Sequence, residues 1–158
     1  QRAQSLGYTT LILSNAVEGE SRCVAAEHVE LIRRIKNNLG PITLPACVLS
    51  GGETTVTVKG DGLGGRNQEY ALAAALEIDG IDGVVVLSAG TDGTDGPTDA
   101  AGGIVDGSTI ERAKDQSLDA AEYLQRNDSY HLLRATGDLL KTGPTRTNVM
   151  DLQVLLMV

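Results

Sequence analysis

The run of residues 84–89, Val-Val-Val-Leu-Ser-Ala, constrains the fold of this chain more than any other segment. It is short, continuous and rich in β-branched residues, which is typical of a strand buried on both of its faces. A sheet that contains such a strand needs a layer of helices on each side. We therefore predict an α/β fold with three layers, α/β/α, around a mixed and mostly parallel sheet.

Further strands and helices follow one another along the rest of the chain. Residues 54–59 alternate apolar and polar side chains, and only a short turn at residues 50–53 separates them from the strand before. So short a turn implies antiparallel pairing, which is why the predicted sheet is mixed. The other predicted strands are residues 9–14, 46–50 and 152–158, and the main predicted helices are residues 22–39 and 68–78, the second almost wholly apolar and therefore buried.

A glycine-rich stretch, residues 60–69, lies between the predicted strand at 54–59 and the buried helix. Glycines allow the backbone to approach a ligand closely, and the free N–H groups at a helix start attract negative charge. Arg66 adds a planar cation at the same point. The stretch is therefore a candidate anion site, and a hairpin exit that leads into a buried helix is the structural alternative.

Two nucleotide-binding motifs nearly match this stretch. Gly60, Gly62 and Gly65 satisfy the dinucleotide pattern G-x-G-x-x-G, but that pattern needs a buried parallel strand in front of it. The alternating segment before Gly60 reads instead as a half-exposed strand. The P-loop pattern fails because Arg66 and Asn67 stand where Lys and Ser or Thr are required. We therefore disfavour an NAD site and exclude a Walker A site.

Residues 90–99 form an acidic loop, Gly-Thr-Asp-Gly-Thr-Asp-Gly-Pro-Thr-Asp, directly after the central strand. The carboxyl end of a central strand is a common place for ligands in α/β proteins. Asp92 and Asp95 could hold Mg²⁺, because hard cations prefer oxygen ligands. The alternative is a turn loop in which aspartate and threonine side chains bond to nearby backbone groups.

A third polar loop, residues 142–148, precedes the last strand. If the three loops converge, they bring together Arg66, Asp92, Asp95, Thr147 and Asn148. These side chains would supply donors for an anion and carboxylates for a metal ion. That composition suits phosphoryl transfer or carboxylate binding, where positioning and charge stabilisation do most of the work. It does not suit covalent hydrolysis, because the chain offers no Ser-His-Asp set.

Composition narrows the class of protein further. The formal net charge of −8 argues against a nucleic-acid partner. Cys23 and Cys47 fit core positions of a cytoplasmic protein, and His28 and His131 fit packing or surface positions. No run of 18 apolar residues and no signal peptide is visible, so we predict no membrane span. The chain begins at Gln1 in what reads as a helix end, so we expect a fragment of a longer protein.

Four motifs, in order along the chain, resemble the C-terminal MOFRL domain of type II glycerate kinases, a family also labelled hydroxypyruvate reductase. They are Ser-Gly-Gly-Glu-Thr-Thr-Val at 50–56, Gly-Gly-Arg-Asn-Gln-Glu at 64–69, the run 88–102, and Gly-Pro-Thr with Thr-Asn-Val at 143–149. The resemblance covers nearly all of the chain. It departs from the family pattern at Arg146, where glycine is usual in Pro-Thr-Gly-Thr-Asn.

The resemblance implies the C-terminal lobe of a two-domain enzyme whose Rossmann-like N-terminal domain is absent from this chain. That domain would supply a catalytic lysine and much of the nucleotide site, and the active site would lie in the cleft between the domains. The implied reaction transfers the γ-phosphate of ATP to D-glycerate with Mg²⁺, usually giving 2-phosphoglycerate. On this view residues 1–158 alone would be inactive, and a homodimer is left open.

The resemblance also implies roles for single residues. Arg66 matches the family's active-site arginine and would bind the substrate carboxylate or the transferring phosphate. Asp92 and Asp95 would be catalytic, holding Mg²⁺ or orienting the glycerate hydroxyls. The expected substrate-binding residues are Glu53, Gly65, Asn67, Thr91, Thr94, Thr147 and Asn148. Two alternatives stay open: an NAD(P)H-dependent hydroxypyruvate reductase, and a binding module without catalysis.

Overall fold

A computed structural model describes all of residues 1–158 and contains one six-stranded sheet with six helices. The strands are β1 (Thr9–Val17), β2 (Ala46–Gly52), β3 (Val84–Gly90), β4 (Gly102–Asp106), β5 (Leu139–Leu140) and β6 (Asp151–Met157). The helices are α1 (Arg2–Ser5), α2 (Ser21–Lys36), α3 (Arg66–Glu77), α4 (Thr109–Asp115), α5 (Ala120–Gln125) and α6 (Ser129–Thr136). The predicted α/β class is therefore confirmed.

The strand order is β1-β2-β6-β3-β4-β5, and the sheet is mixed, as predicted. Only β1 and β2 pair in parallel, and every other pair is antiparallel. The prediction of a mostly parallel sheet is therefore wrong in this respect. The reason is the position of β6, which inserts between β2 and β3 and runs opposite to both. The strands β1, β2 and β3 do share one direction, but β2 and β3 are not neighbours.

The predicted hairpin strand at residues 54–59 is also wrong. This segment is not part of the sheet, and its only sheet-type contact is a single parallel bridge between Thr55 and Glu20. The Glu20 carboxylate accepts hydrogen bonds from the backbone N–H and the hydroxyl of Thr57. The β2 edge where an antiparallel partner would lie is already taken by β6, so the segment passes along the start of α2 instead.

Helix α3 is the centre of the hydrophobic core, as the alanine-rich pattern predicted. It begins at Arg66, two residues earlier than predicted, and Asn67 to Ala75 are all buried. The phenol of Tyr70 lies 2.6 Å from Nδ1 of His28, and both residues are buried, so His28 is a packed helix histidine. Of the two cysteines, Cys47 is buried, but Cys23 is exposed, contrary to its predicted core position.

The helices α2 to α6 all pack on one face of the sheet. Side chains from these helices join one connected core with the inward residues of the strands, among them Val48, Val86, Val105 and Leu155. The short helix α1 is not part of this core and contacts β1. Residues 84–89 were predicted to be buried on both faces of the sheet. They are buried on the first face, but Val85 is 37% exposed on the second. No helix of the chain is long and apolar enough to cross a membrane.

Candidate active site

The candidate site lies at the edge of the sheet where β2 and β3 end and β6 begins. In the strand register Asp151, the first residue of β6, sits between Gly52 of β2 and Gly90 of β3. The first turn of α3 points at the same edge. A cavity of about 400 Å³ opens there, lined by Glu53, Thr54, Thr55, Val56, Arg66, Asp95 and Gly96.

Arg66 is held in this cavity by two carboxylates of different exposure. Its Nε and Nη2 atoms donate to the two carboxylate oxygens of Asp151 at 2.7 and 3.0 Å. Its Nη1 atom lies 3.1 Å from Glu53. The Asp151 side chain is fully buried, whereas Glu53 is 55% exposed. The hydrogen bonds that Arg66 donates to the Asp151 carboxylate raise the pKa of Arg66, so the guanidinium is a permanent cation at the cavity wall.

The carboxylate of Asp95 occupies the helix start that was predicted to bind an anion. It accepts hydrogen bonds from the backbone N–H groups of Asn67 and Gln68 at 3.1 and 2.8 Å, and from the side-chain amides of both residues. Burial raises the pKa of Asp95, and these four hydrogen bonds oppose the rise. A ligand anion at the α3 N-terminus would have to displace this carboxylate, so the predicted anion site is filled by the protein itself.

Asn67, predicted to bind substrate, lies behind the cavity wall. Its Nδ2 atom donates to Asp95 at 3.2 Å and to Asp151 at 3.0 Å, and its Oδ1 atom accepts from the Ser88 hydroxyl at 2.7 Å. The residue is buried, with every polar atom of its side chain engaged. Asn67 therefore joins the two buried carboxylates and fixes their separation, and through Asp151 it helps to orient Arg66.

Asp92 connects the acidic loop with the loop at 142–148. Its carboxylate accepts from the backbone N–H and the hydroxyl of Thr94 and from the side-chain amide of Asn148. The hydrogen bonds from Thr94 lower the pKa of Asp92, and the nearby charge of Arg66 lowers it further. Thr145 also donates its N–H to the Asp92 carbonyl. The predicted convergence of these two loops is thus confirmed.

Of the other residues predicted in the two loops, Thr91 bonds to backbone groups and Thr147 is exposed. Thr91 donates its hydroxyl to the Met150 carbonyl at 2.7 Å and accepts from the Val149 N–H, so it stabilises the loop. Thr147 is exposed on the same loop and contacts Thr145. Arg146 has a φ of +63°, in the left-handed region that favours glycine. This backbone conformation explains why glycine suits the position.

No three histidine, cysteine or acidic side chains of the chain form a cluster that could hold a metal ion. Asp95 is buried and its oxygens are bonded to α3, so it is poorly placed as a ligand. Asp92 is half-buried, and its carboxylate bonds only to loop residues. Magnesium binding by Asp92 and Asp95 stays a prediction, with Asp92 the better-placed ligand of the two.

The glycine-rich stretch packs closely against residues 126–129 and against Asp95. A Cβ atom on Gly60 or Gly62 would overlap the Arg126 backbone, one on Gly64 would overlap the Ser129 hydroxyl, and one on Gly65 would overlap the Asp95 carboxylate. The N–H groups along the stretch are also used internally. The Asn127 side chain accepts from Lys59 and Gly60, and Asp128 accepts from Leu63. The structure therefore favours a packed connection into the buried helix over a phosphate-binding loop. The hairpin that this alternative also predicted is not formed.

Three residues of this edge were missed in the sequence: Asn127, Asp128 and Asp151. Each acts on a segment more than 60 positions away, so no local spacing connects them with their partners. One signal was available for Asp151, because an acidic residue at the start of an apolar strand needs a cation or several donors when it is buried. The segment directly before Gly60 forms no strand, so the dinucleotide pattern there lacks the parallel strand that it requires.

Comparison with known proteins agrees with this architecture. A family model described as the MOFRL family matches residues 46–151, so the chain belongs to the MOFRL family. A D-glycerate 2-kinase from Thermotoga maritima is 49% identical over 99% of the chain and 37% of its own length. A protein of Agrobacterium vitis with a provisional hydroxypyruvate reductase name is 40% identical over 98% of the chain and 41% of its own length.

The fold also matches that of a solved structure. The crystal structure of a glycerate kinase from Thermotoga maritima superimposes with a TM-score of 0.97 over 99% of this chain, at 49% sequence identity. The match covers 38% of the crystallised chain. The chain thus spans about two fifths of the length of these relatives, and it corresponds to one part of a larger protein in each case.

Proposed function

We propose that residues 1–158 form the C-terminal lobe of an ATP-dependent glycerate kinase that phosphorylates D-glycerate, giving 2-phosphoglycerate. The observation that carries the proposal is the bidentate contact of Arg66 with buried Asp151 at a cavity edge, in a chain 49% identical to a D-glycerate 2-kinase. Both glycerate and the transferred phosphoryl group are anions. A fixed cation is therefore the group that such a site needs most.

The guanidinium of Arg66 bonds to the protein through Nε and Nη2, and we propose that Nη1 is the atom that binds the ligand. Nε and Nη2 face Asp151, which is buried and cannot be exchanged for solvent or substrate without a large cost. Nη1 faces the exposed Glu53, and exposed ion pairs contribute about 0–1 kcal/mol. An incoming carboxylate or phosphate can therefore replace Glu53 at Nη1 at low cost, and Glu53 then becomes free to accept a substrate hydroxyl.

Mg²⁺ would be held by Asp92 together with phosphate oxygens of the nucleotide, and it would neutralise charge that develops on the transferred group. Asn148 donates to Asp92 and orients its carboxylate. Asp95, bonded to the first turn of α3, sets the position of Arg66 and is proposed to support the site rather than to ligate the metal. Thr94 and Thr147 remain candidates for substrate contacts from the same loops.

The lining of the cavity includes the carboxylates of Glu53 and Asp95 but no lysine. We propose that the other half of the active site, including the catalytic lysine and most of the ATP contacts, lies in an N-terminal domain of the same cytoplasmic polypeptide. Residues 1–158 alone should then show no measurable kinase activity. Turnover by the purified chain would refute this part of the proposal.

The first test uses the complete polypeptide in two parallel reactions. One contains D-glycerate, Mg²⁺ and ATP, and the other contains hydroxypyruvate and NADH. ADP release in the first reaction alone supports the kinase, and NMR of the product distinguishes 2-phosphoglycerate from 3-phosphoglycerate. NADH oxidation in the second reaction alone would overturn the proposal.

The second candidate is an NAD(P)H-dependent hydroxypyruvate reductase, which the name of the Agrobacterium vitis relative favours. The glycine-rich stretch offers this activity little support, because its N–H groups bond to Asn127 and Asp128 and no parallel strand leads into it. A binding module without catalysis would show neither ADP release nor NADH oxidation.

A further inference from the structure

A second cavity adjoins the one that holds Arg66. Its volume is about 350 Å³, within the range of about 300–1,000 Å³ that small-molecule sites occupy. The linings of the two cavities share Val56 and Gly96, so the second lies directly beside the candidate active site. The lining combines glycines, apolar side chains and buried polar side chains: Gly62, Gly64, Gly65, Gly96, Val56, Val58, Pro97, Glu69, Asn127 and Ser129.

The carboxylate of Glu69 is held firmly in the lining of this second cavity and can still accept a hydrogen bond. Its Oε1 atom accepts from Nε and Nη2 of Arg22 at 3.0 and 2.7 Å, and its Oε2 atom accepts from Nδ2 of Asn127 at 2.9 Å. A carboxylate has about four acceptor sites on its two oxygens, so Oε2 has one site left. Because Arg22 already balances the charge of Glu69, the group that suits this site is an uncharged donor.

Ser129, the first residue of α6, also lines the second cavity and has an unmade hydrogen bond. The residue is only 1% exposed, and its hydroxyl has no partner in the protein. A buried polar group without a partner destabilises a protein, and each such group calls for an explanation. A ligand hydroxyl, which can both donate and accept, would supply the missing partner.

We infer that the second cavity binds the ribose of the nucleotide that donates the phosphoryl group, an inference that rests on the proposed kinase function. One ribose hydroxyl donates to Oε2 of Glu69, and the neighbouring hydroxyl bonds to the hydroxyl of Ser129. Dinucleotide-binding proteins likewise place an acidic side chain on a ribose hydroxyl. The transferred phosphoryl group then lies in the adjoining cavity, beside Arg66.

The charges around the second cavity favour a sugar over a phosphate. Glu69 lies in its lining, and the Asp95 carboxylate lies so close to Gly65 that a Cβ atom there would overlap it. Two carboxylates repel an anion, whereas the hydroxyls of a neutral sugar can donate to them. The glycines of residues 62–65 thus serve the nucleotide by leaving room for the sugar, while the backbone stays packed on residues 126–129.

The test compares two nucleotides by calorimetry on the complete polypeptide with Mg²⁺. ADP carries both ribose hydroxyls, and 2′,3′-dideoxy-ADP carries neither. We expect the wild-type protein to bind ADP more tightly by about tenfold or more, and Ser129→Ala to reduce this preference by about threefold or more, since one of the two bonds is lost. Ser5→Ala, at an exposed serine of α1, is the matched control and should keep the full preference.

The ratio of the two affinities separates a ribose contact from a structural effect. If Ser129 only supported the fold, Ser129→Ala would weaken both nucleotides equally and leave the ratio unchanged, which would overturn the inference. Equal affinities in the wild-type protein, or no binding of either nucleotide, would also overturn it. A Ser129→Ala variant with a raised KM for D-glycerate and an unchanged KM for ATP would assign the second cavity to the acceptor instead, with the same consequence.

ADP release from ATP and D-glycerate tests the proposed function separately. Turnover without a preference for the ribose hydroxyls would keep the kinase and overturn the ribose site. A clear preference for ADP that is lost in Ser129→Ala, without phosphorylation of D-glycerate, would support the ribose site and overturn the proposed acceptor.

Discussion

Arg66 and Asp151 are 85 positions apart in the sequence and are joined by two hydrogen bonds of 2.7 and 3.0 Å. Arg66 opens α3, and Asp151 opens β6, the strand that inserts between β2 and β3. The contact therefore connects the core helix to the middle of the sheet at the candidate site. Its geometry explains how a long, flexible side chain is given one orientation at the cavity wall.

Asp151→Asn should lower kcat/KM for D-glycerate in the complete polypeptide by at least tenfold. The amide can accept only one of the two hydrogen bonds, so the guanidinium loses its fixed orientation, and small misplacements of catalytic groups cost up to about a hundredfold. Steady-state kinetics measures the effect. Glu53→Gln is the control for stability, because it removes an exposed contact and should change the free energy of unfolding by less than about 1 kcal/mol. An unchanged kcat/KM in Asp151→Asn would show that the pair does not position Arg66 for turnover.

Arg66→Ala should reduce turnover at least tenfold through lost stabilisation of the anionic transition state. Arg66→Lys should recover little of it, since an ammonium cannot reproduce the bidentate contact with Asp151. Initial rates of ADP release measure both variants. Arg33→Ala, at an exposed arginine of α2 that pairs with Glu77, should leave the rate unchanged. A rate near wild type in Arg66→Ala would remove Arg66 from the site.

Asp92 and Asp95 should titrate on opposite sides of the ordinary value of 3.8. Hydrogen bonds from Thr94 lower the pKa of Asp92, whereas burial raises the pKa of Asp95. Because a pKa that differs between the folded and unfolded states makes stability depend on pH, the two shifts have opposite effects on the free energy of unfolding. The contribution of Asp92 to stability is present above pH 3.8 and is lost as the pH falls through its lowered pKa. That of Asp95 is fully present below pH 3.8 and is lost as the pH rises through its raised pKa. Carboxyl ¹³C NMR of labelled aspartate measures both, and shifts of the same sign would contradict the prediction.

Gly64→Ala should lower the free energy of unfolding by roughly 1–3 kcal/mol, because the added methyl group overlaps the buried Ser129 hydroxyl. That hydroxyl has no hydrogen-bond partner, so Ser129→Ala alone should be nearly neutral. The double variant should recover most of the loss, giving a clear coupling in a double-mutant cycle by urea denaturation. Additive effects would mean that Gly64 is required for another reason, such as close approach of a ligand.

The sequence predicted well those features that depend on local pattern. The alanine-rich periodicity of α3, the apolar runs of β2, β3 and β6, and the three polar loops at one edge all lie where they were expected. Each depends on side-chain spacing within a dozen residues, which fixes whether a segment is helical or extended and which side it buries.

The errors share a different origin. The segment at 54–59 has a strand pattern but lacks a strand partner, since β6 already occupies the adjacent edge of β2. The helix start at Arg66 has the features of an anion site, but Asp95 fills it from a loop 27 positions away. In both cases the local pattern was interpreted correctly, but the element that occupies the position, β6 in the first and Asp95 in the second, could not be predicted from it.

The α/β class, the buried helix α3 and the loops that carry the candidate residues could all be predicted from local sequence patterns. The long-range contacts became visible in the three-dimensional fold alone: β6 lies between β2 and β3, Asp151 bonds to Arg66, and Asp95 bonds to the first turn of α3. The physical reason is that backbone propensity and hydrophobic period act over a few residues, whereas buried carboxylates and sheet edges find their partners through the packing of the whole chain.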